Sequence, residues 1–360
     1  MLQLNSISLV HFKNYRQQFF SFSERITGIC GPNGIGKTNL LDAIHYLCFT
    51  KSYFGRSDSQ HVHSGMSGFR IEGDFTLDGR AMKAVCIVRE TGRKEFLLDD
   101  APYERFADHI GKFPCVIVAP DDIQVITGGS EERRRFIDAL LCQADPEYLR
   151  RLMNYNKILQ QRNGFLRSMA DRRISDTQLL DVYDQQLAGD GTFIYARRKA
   201  FLADCIRKVR SFYQQISGGD GPLELHYESQ LAQEPFELLL RQYREKDIYL
   251  QRTGAGIHKD ELLITLKQQP FRNIASQGQR KSLLFALKLA EFTILKENKQ
   301  FAPLLLLDDV FEKLDEQRMH NLLDWVCVQN EGQLFITDTH AGRMDDHLKQ
   351  LGLPYQLLPL

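Results

Sequence analysis

The segment Gly31-Pro32-Asn33-Gly34-Ile35-Gly36-Lys37-Thr38 constrains this chain more than any other. It follows an apolar run, Ile26 to Cys30, that reads as a strand, and it leads into Asn39 to Cys48, which reads as a helix. The pattern G-x-x-x-x-G-K-[ST] in that setting is a phosphate cradle. Its glycines let backbone N–H groups curl around a β-phosphate, and the helix start adds partial positive charge. Lys37 reaches the β- and γ-oxygens, and the Thr38 hydroxyl ligates Mg2+. A nucleoside triphosphate with Mg2+ is the expected ligand.

A second run supports this reading. Leu304-Leu305-Leu306-Leu307 ends in Asp308-Asp309, as expected of a strand buried on both faces whose carboxyl end opens onto a ligand crevice. Asp308 is placed to hold Mg2+ through water, and Asp309 to orient or deprotonate an attacking water. Lys37, Asp308 and Asp309 are therefore the expected catalytic set.

The organisation along the chain is discontinuous. Residues 1–128 read as a mixed α/β segment, with strands at Phe69 to Leu77, Ala84 to Arg89 and Cys115 to Ala119 besides those at the cradle. Residues 129–218 carry helical spacing, with Leu180, Leu187, Ile194 and Phe201 at seven-residue steps. Gly128-Gly129 and the run Ser217 to Pro222 bracket this block, so it reads as a helical lobe inserted into one domain. Residues 219–360 return to alternating strands and helices, with helices near Gln279 to Asn298 and Gln317 to Gln329 and a last strand at Gln333 to Thr337. That alternation predicts a largely parallel sheet.

Charge and cysteine usage narrow the class. Lys and Arg total 46, as do Asp and Glu, so nothing attracts nucleic acid or lipid globally and any polyanion site is local. Residues 130–217 hold sixteen Lys or Arg against eleven Asp or Glu, which makes the inserted lobe one candidate for tracking phosphates. The seven cysteines are scattered without a C-x-x-C pair, the pattern of reduced thiols in a cytosol. No run reaches the roughly 18 apolar residues of a membrane span. The expectation is a cytoplasmic protein with no membrane partner.

Several further segments carry a family resemblance. The cradle resembles the P-loop of ABC- and SMC-type ATPases, and Ala275-Ser276-Gln277-Gly278-Gln279-Arg280-Lys281 is similar to their signature motif. Phe12-Lys13-Asn14-Tyr15-Arg16 is similar to an element near the start of SMC and Rad50 heads. With Arg133 to Asp138, Gly256-Ile257-His258-Lys259-Asp260 and Leu307 to Val310, the whole pattern most closely resembles the RecF family of bacterial recombination mediators. About ninety inserted residues cannot supply the long coiled-coil arms of the SMC and Rad50 relatives.

The resemblance implies an α/β ABC-type ATPase head, a mixed sheet with a P-loop, interrupted by the helical lobe. It implies a weak ATPase that binds ATP through Gly31, Asn33, Gly34, Gly36, Lys37, Thr38 and Asn39. Ser276, Gly278 and Gln279 would complete the site of a second copy in trans, so that ATP drives homodimerisation. Duplex DNA near gaps or single-strand junctions, RecR and RecO are the implied partners, in repair, recombination, replication at stalled forks and the SOS response. Asp315 fits the D-loop, Gln124 the Q-loop, His340 the switch histidine, and Lys51 with Arg56 the arginine loop; Arg16 belongs to the start element.

Physical chemistry supports part of this carry-over. Ser276 and Gly278 open a helix whose Leu283, Leu287, Ala290 and Ile294 form one apolar face, so N–H and hydroxyl groups project from a positive helix end. Two positions depart from the ABC pattern: Asp309 stands where ABC heads usually place Glu, and Asp338 stands where the switch histidine is expected. The shorter carboxylate predicts slow hydrolysis. His258 and Asp260 have no mechanism derivable from the sequence. Two alternatives share the P-loop: the ATPase subunit of a membrane transporter, and a nucleotide-controlled scaffold without essential turnover.

Overall fold

The computed structural model describes residues 1–55, 57–172, 177–218, 221–309 and 316–360, apart from the side chains of 170–172. Arg56 and Asp315 therefore lie outside the described residues. In chain order the elements are β1 (Leu2–Phe12), β2 (Tyr15–Ser21), β3 (Ile26–Cys30), α1 (Lys37–Phe49), β4 (Phe69–Leu77), β5 (Arg80–Val88), β6 (Lys94–Leu98), β7 (Ala101–Pro102) and β8 (Cys115–Val118). A mainly helical stretch follows: α2 (Gln124–Thr127), α3 (Ser130–Ala144), α4 (Pro146–Arg172), α5 (Gln178–Ser217), β9 (Leu223–Glu228), α6 (Phe236–Leu250), β10 (Glu261–Leu266), β11 (Gln269–Pro270) and α7 (Phe271–Ile274). The chain closes with α8 (Gln277–Lys299), β12 (Leu304–Leu307), α9 (Glu316–Leu323) running into a π-helical segment Asp324–Gln329, then β13 (Leu334–Asp338), α10 (Ala341–Gln350) and β14 (Gln356–Pro359).

Two compact units result: Met1–Asp122 with Phe212–Gly219 and Gln277–Leu360, and Ile123–Ser211 with Asp220–Ser276. The first contains a parallel sheet in the order β14-β3-β13-β12-β8 and a six-stranded sheet in the order β2-β1-β4-β5-β6-β7. Strands β3, β8, β12 and β13 are buried at every residue, the signature of a parallel sheet covered on both faces. The other sheet is antiparallel throughout. In β1, Leu2 and Leu4 and then Ile7 and Leu9 face the core, because a register shift between Leu4 and Ser6 reverses the phase of alternation. Helix α1 is apolar around most of its circumference, with Leu40, Leu41, Ile44 and Leu47 all buried, and its residues join both sheets in one core.

The second unit differs from the expected inserted lobe. Residues 220–276 cluster with the helices rather than with the sheets that carry the cradle. The physical reason is polar: Arg133 donates to both carboxylate oxygens of Glu261 at 2.7 and 2.9 Å, and Arg198 pairs with Asp260 at 2.8 Å. The short antiparallel sheet β11-β10-β9 belongs to this unit. Helix α6 was not legible in the sequence.

Candidate functional site

Strand β3 delivers the cradle at its carboxyl end, and the loop conformation requires glycine at two points. Gly34 has φ +82°, and Gly36 has φ +129° with a would-be Cβ 2.6 Å from Asn14 Nδ2 and 2.7 Å from the Tyr15 hydroxyl. That crowding reflects a brace. The Tyr15 hydroxyl donates to the Gly36 carbonyl at 3.0 Å, and Asn14 Nδ2 donates to the Ile35 carbonyl at 2.6 Å. Asn39 Nδ2 donates in turn to Asn14 Oδ1 at 2.7 Å. The Asn14-Tyr15 element at the turn from β1 to β2 thus braces the loop, a role its distance in sequence conceals.

Lys37 is buried, and its ammonium donates to the carbonyls of Gly31 at 2.7 Å and Pro32 at 3.2 Å, which compensates its desolvation. Asn33 and Gly34 are exposed. An open cleft of about 420 Å³ adjoins it, lined by Ile35, Tyr15, Phe19, Leu358 and Gln356 among others.

The acidic pair converges on the same place. The Thr38 hydroxyl donates to Asp308 Oδ2 at 2.9 Å, with Oδ1 at 3.1 Å. The Thr337 hydroxyl donates to Asp308 Oδ1 at 2.8 Å. Burial pushes the Asp308 carboxyl above its ordinary value, the two hydroxyls pull it back, Asp309 raises it and Lys37 lowers it. Asp309 is half-buried with φ +47°. Thr38 spends its single proton on Asp308 and keeps its oxygen lone pairs. A hydroxyl and a carboxylate this close form a hard, all-oxygen donor set that suits Mg2+.

Other anticipated residues are placed as follows. Ser276 is exposed immediately before α8, with Gly278 and Gln279 partly exposed in its first turn. Asp338 is buried at the end of β13; Arg343 Nε donates to its Oδ2 at 2.9 Å and the His340 N–H to its Oδ1 at 3.2 Å. His340 itself is exposed at the start of α10. Arg16 on β2, Lys51 beyond α1 and Gln124 at the start of α2 are all exposed.

His258 and Asp260 belong to the interior of the second unit. His258 Nε2 lies 3.1 Å from the Thr253 carbonyl, so it carries the proton, and Nδ1 accepts from the Tyr155 hydroxyl at 2.8 Å. Burial lowers this histidine to about 4, so it is neutral. Asp260 pairs with Arg198, which is itself buried and also bonds Asp138 at 2.8 Å and the Ile257 carbonyl at 2.8 Å. Arg133 and Arg198 are therefore core ion pairs, and the positive excess of the lobe overstates what its surface offers to a polyanion. Lys157, Arg167, Arg197 and Lys199 are exposed there.

The chain's likeness to known proteins agrees with this geometry. A profile of the AAA domain family matches residues 6–322. The DNA replication and repair protein RecF of Flavobacterium johnsoniae is 38% identical over 359 residues, covering 100% of both chains. That of Parabacteroides distasonis is 40% identical, covering 98% of this chain and 96% of the relative. The chain belongs to the RecF family. A solved structure of the recombination mediator protein RecF-ATP in the RecFOR pathway superposes with TM-score 0.87 at 29% identity, covering 94% of this chain and 92% of that one. The Smc head domain of Pyrococcus furiosus, solved with an extended coiled coil and the ScpA C-terminal domain, matches at TM-score 0.56 and 18% identity over 96% and 92%. The fold is that of an ABC-type ATPase head, and the protein is a DNA replication and repair ATPase. No helix among the described residues is long and apolar enough to cross a membrane.

Proposed function

We propose that the chain is an ATP-gated DNA clamp: two copies close on duplex DNA near a gap when ATP binds, and slow hydrolysis releases them. The observation that carries this reading is the convergence of Thr38 and Asp308 at 2.9 Å beside a loop whose Lys37 is already buried. Gly31, Gly34 and Gly36 let the loop turn so that its N–H groups meet phosphate oxygens, Gly34 leaving open space, Asn33 and Asn39 border them, and Lys37 offsets their charge. Thr38 and Asp308 would hold Mg2+, which supplies charge neutralisation at the phosphates. Asp309 orients water for attack, and its short side chain makes turnover slow. Ser276, Gly278 and Gln279 act on the nucleotide of the second copy from the start of α8. Exposed placement of Ser276 supports that role.

The domain that binds nucleotide is the unit of Met1–Asp122, Phe212–Gly219 and Gln277–Leu360, which carries the cradle, the acidic pair and α8. DNA is held through phosphate contacts from exposed cations of the helical unit, Arg197 and Lys199 among them, rather than from the buried Arg198. The RecFOR pathway named for the ATP-bound relative supports RecO and RecR as the partners, in the cytoplasm. Sedimentation with Mg2+, ATP and a gapped duplex tests the clamp. The parent should dimerise, and Lys37→Ala should stay monomeric with turnover reduced by about two to three orders of magnitude. Asp309→Asn should dimerise and persist; its turning over ATP at the parental rate would refute the assigned role.

A further inference from the structure

We propose that Thr337 is a positioning residue of the ATPase centre, a hydroxyl latch that sets Asp308 and Asp309 against the Thr38 end of the phosphate cradle. It rests on the ATPase reading above but concerns a residue that reading does not use.

The sheet order explains why such a latch is needed. The cradle follows β3 and the acidic pair follows β12, yet these strands are not neighbours: β13 runs between them. Parallel registry pairs Leu307 with Ile336 and Ile29 with Thr337. Thr337 is therefore one step beyond the last β12 partner, level with Asp308. Any side chain there fills the space between the two halves of the site. An aliphatic one would give the acidic side no hydrogen bond, whereas this hydroxyl bonds both Asp308 and Asp309, and Asp308 carries the link to the cradle through Thr38.

Its hydrogen-bonding capacity matches what surrounds it. A threonine hydroxyl has one proton to give and lone pairs to receive. The proton goes to Asp308 Oδ1 at 2.8 Å, and the oxygen accepts from the Asp309 N–H at 2.9 Å. Thr337 is fully buried, so water does not substitute for either bond. The first bond directs one carboxylate oxygen of Asp308 while Thr38 takes the other. The second ties down the amide of a residue at φ +47°. Non-glycine residues occupy that left-handed region uncommonly, aspartate more readily than most, and the Thr337 hydroxyl holds this one there by its amide. One side chain thus contacts both acids, and β13, the strand between β3 and β12, carries it.

Thr337→Val keeps the shape and β-branching and removes the hydroxyl; Thr337→Ser restores it. Two measurements separate the latch from the function it serves. Without nucleotide, amide hydrogen exchange resolved at Asp309 should accelerate about tenfold in Thr337→Val, the equivalent of one lost hydrogen bond, and stay near the parental rate in Thr337→Ser. With ATP and Mg2+, Thr337→Val should turn over at least about tenfold more slowly while binding ATP without Mg2+ as the parent does, and Thr337→Ser should recover to within about threefold. Unchanged exchange at Asp309 in Thr337→Val overturns the latch, as does a Thr337→Ser protein as impaired as Thr337→Val. A parent that turns over no ATP sinks the ATPase reading instead, and the exchange measurement still decides the latch. A general loss of protection across β12 and β13 in Thr337→Val would also count against it, because the residue would then be holding the sheet rather than the acids.

Discussion

The two compact units solve the problem of burial differently. In the unit that carries the cradle, the largest fully buried side chains include Phe12, Tyr46, Phe75, Phe96 and Phe113, and edge-to-face pairs such as Phe12 with Phe69 and stacked Phe75 with Phe113 at 4.0 Å fill the space between sheets and helix. In the helical unit the largest are Arg162 and Arg198. Arg162 donates to Asp184 and Asp247 at 2.7 Å and to Thr253 at 2.9 Å. The contrast teaches where each unit is vulnerable. An apolar core degrades gradually as volume is removed, whereas a buried ion pair fails abruptly when one partner goes, because the other is left charged and unsolvated.

The sharpest way to break this contrast is Arg198→Met. Removing the guanidinium strands Asp138 and Asp260, and the expected loss is about 3–5 kcal/mol in denaturant unfolding followed by a probe in the helical unit. Replacing Arg198, Asp138 and Asp260 together with apolar residues of similar volume should recover most of it. If Arg198→Met alone unfolds like the parent, the ion pairs do not hold that unit together.

Acid titration sharpens the comparison at an intermediate scale. His258 in the helical unit and His45 and His109 in the other are each lowered to about 4, burial being the leading cause in all three. Their folded values lie below the ordinary 6.5, so between these limits the unfolded chain binds more protons than the folded one. Stability is therefore full above about pH 6.5 and declines as the pH falls towards 4, by on the order of 2 kcal/mol per histidine at pH 5. Unfolding followed in each unit between pH 7 and 5 should show both declining; a helical unit unaffected by acid would mean that His258 is not held neutral.

The smallest expected effect is in the apolar core. Ile44→Val, fully buried in α1, should cost about 1 kcal/mol with nucleotide binding retained. A loss as large as that of Arg198→Met would erase the difference between the units.

What the sequence determined by itself was local chemistry and its flanking elements. Gly31 to Thr38 could be read as a cradle because the glycines, lysine and hydroxyl have fixed mechanical tasks within eight residues, and Leu304 to Asp309 as a buried strand ending in acids because burial on both faces leaves an unbroken apolar run. Strands β3, β4, β8 and β12 were legible for the same reason: their pattern is written in consecutive residues. The inserted helices showed through their seven-residue spacing.

Tertiary structure alone decided which distant residues share a duty. The brace from Asn14 and Tyr15 to the cradle crosses twenty-one positions, and the latch from Thr337 to Asp308 depends on β13 lying between β3 and β12. Only strand order and register place that hydroxyl there. The division of the chain was decided in the same way, since pairs such as Arg133 with the half-buried Glu261 and the buried Arg198 with Asp260 join residues over sixty positions apart. For the arginines in particular, composition counts a charge wherever it falls, but burial and partner settle whether it faces solvent or neutralises a carboxylate inside the protein. A run such as Arg197-Arg198-Lys199 reads as one basic patch, yet the helix turns its middle residue inward to Asp138 and Asp260 and leaves its neighbours outside.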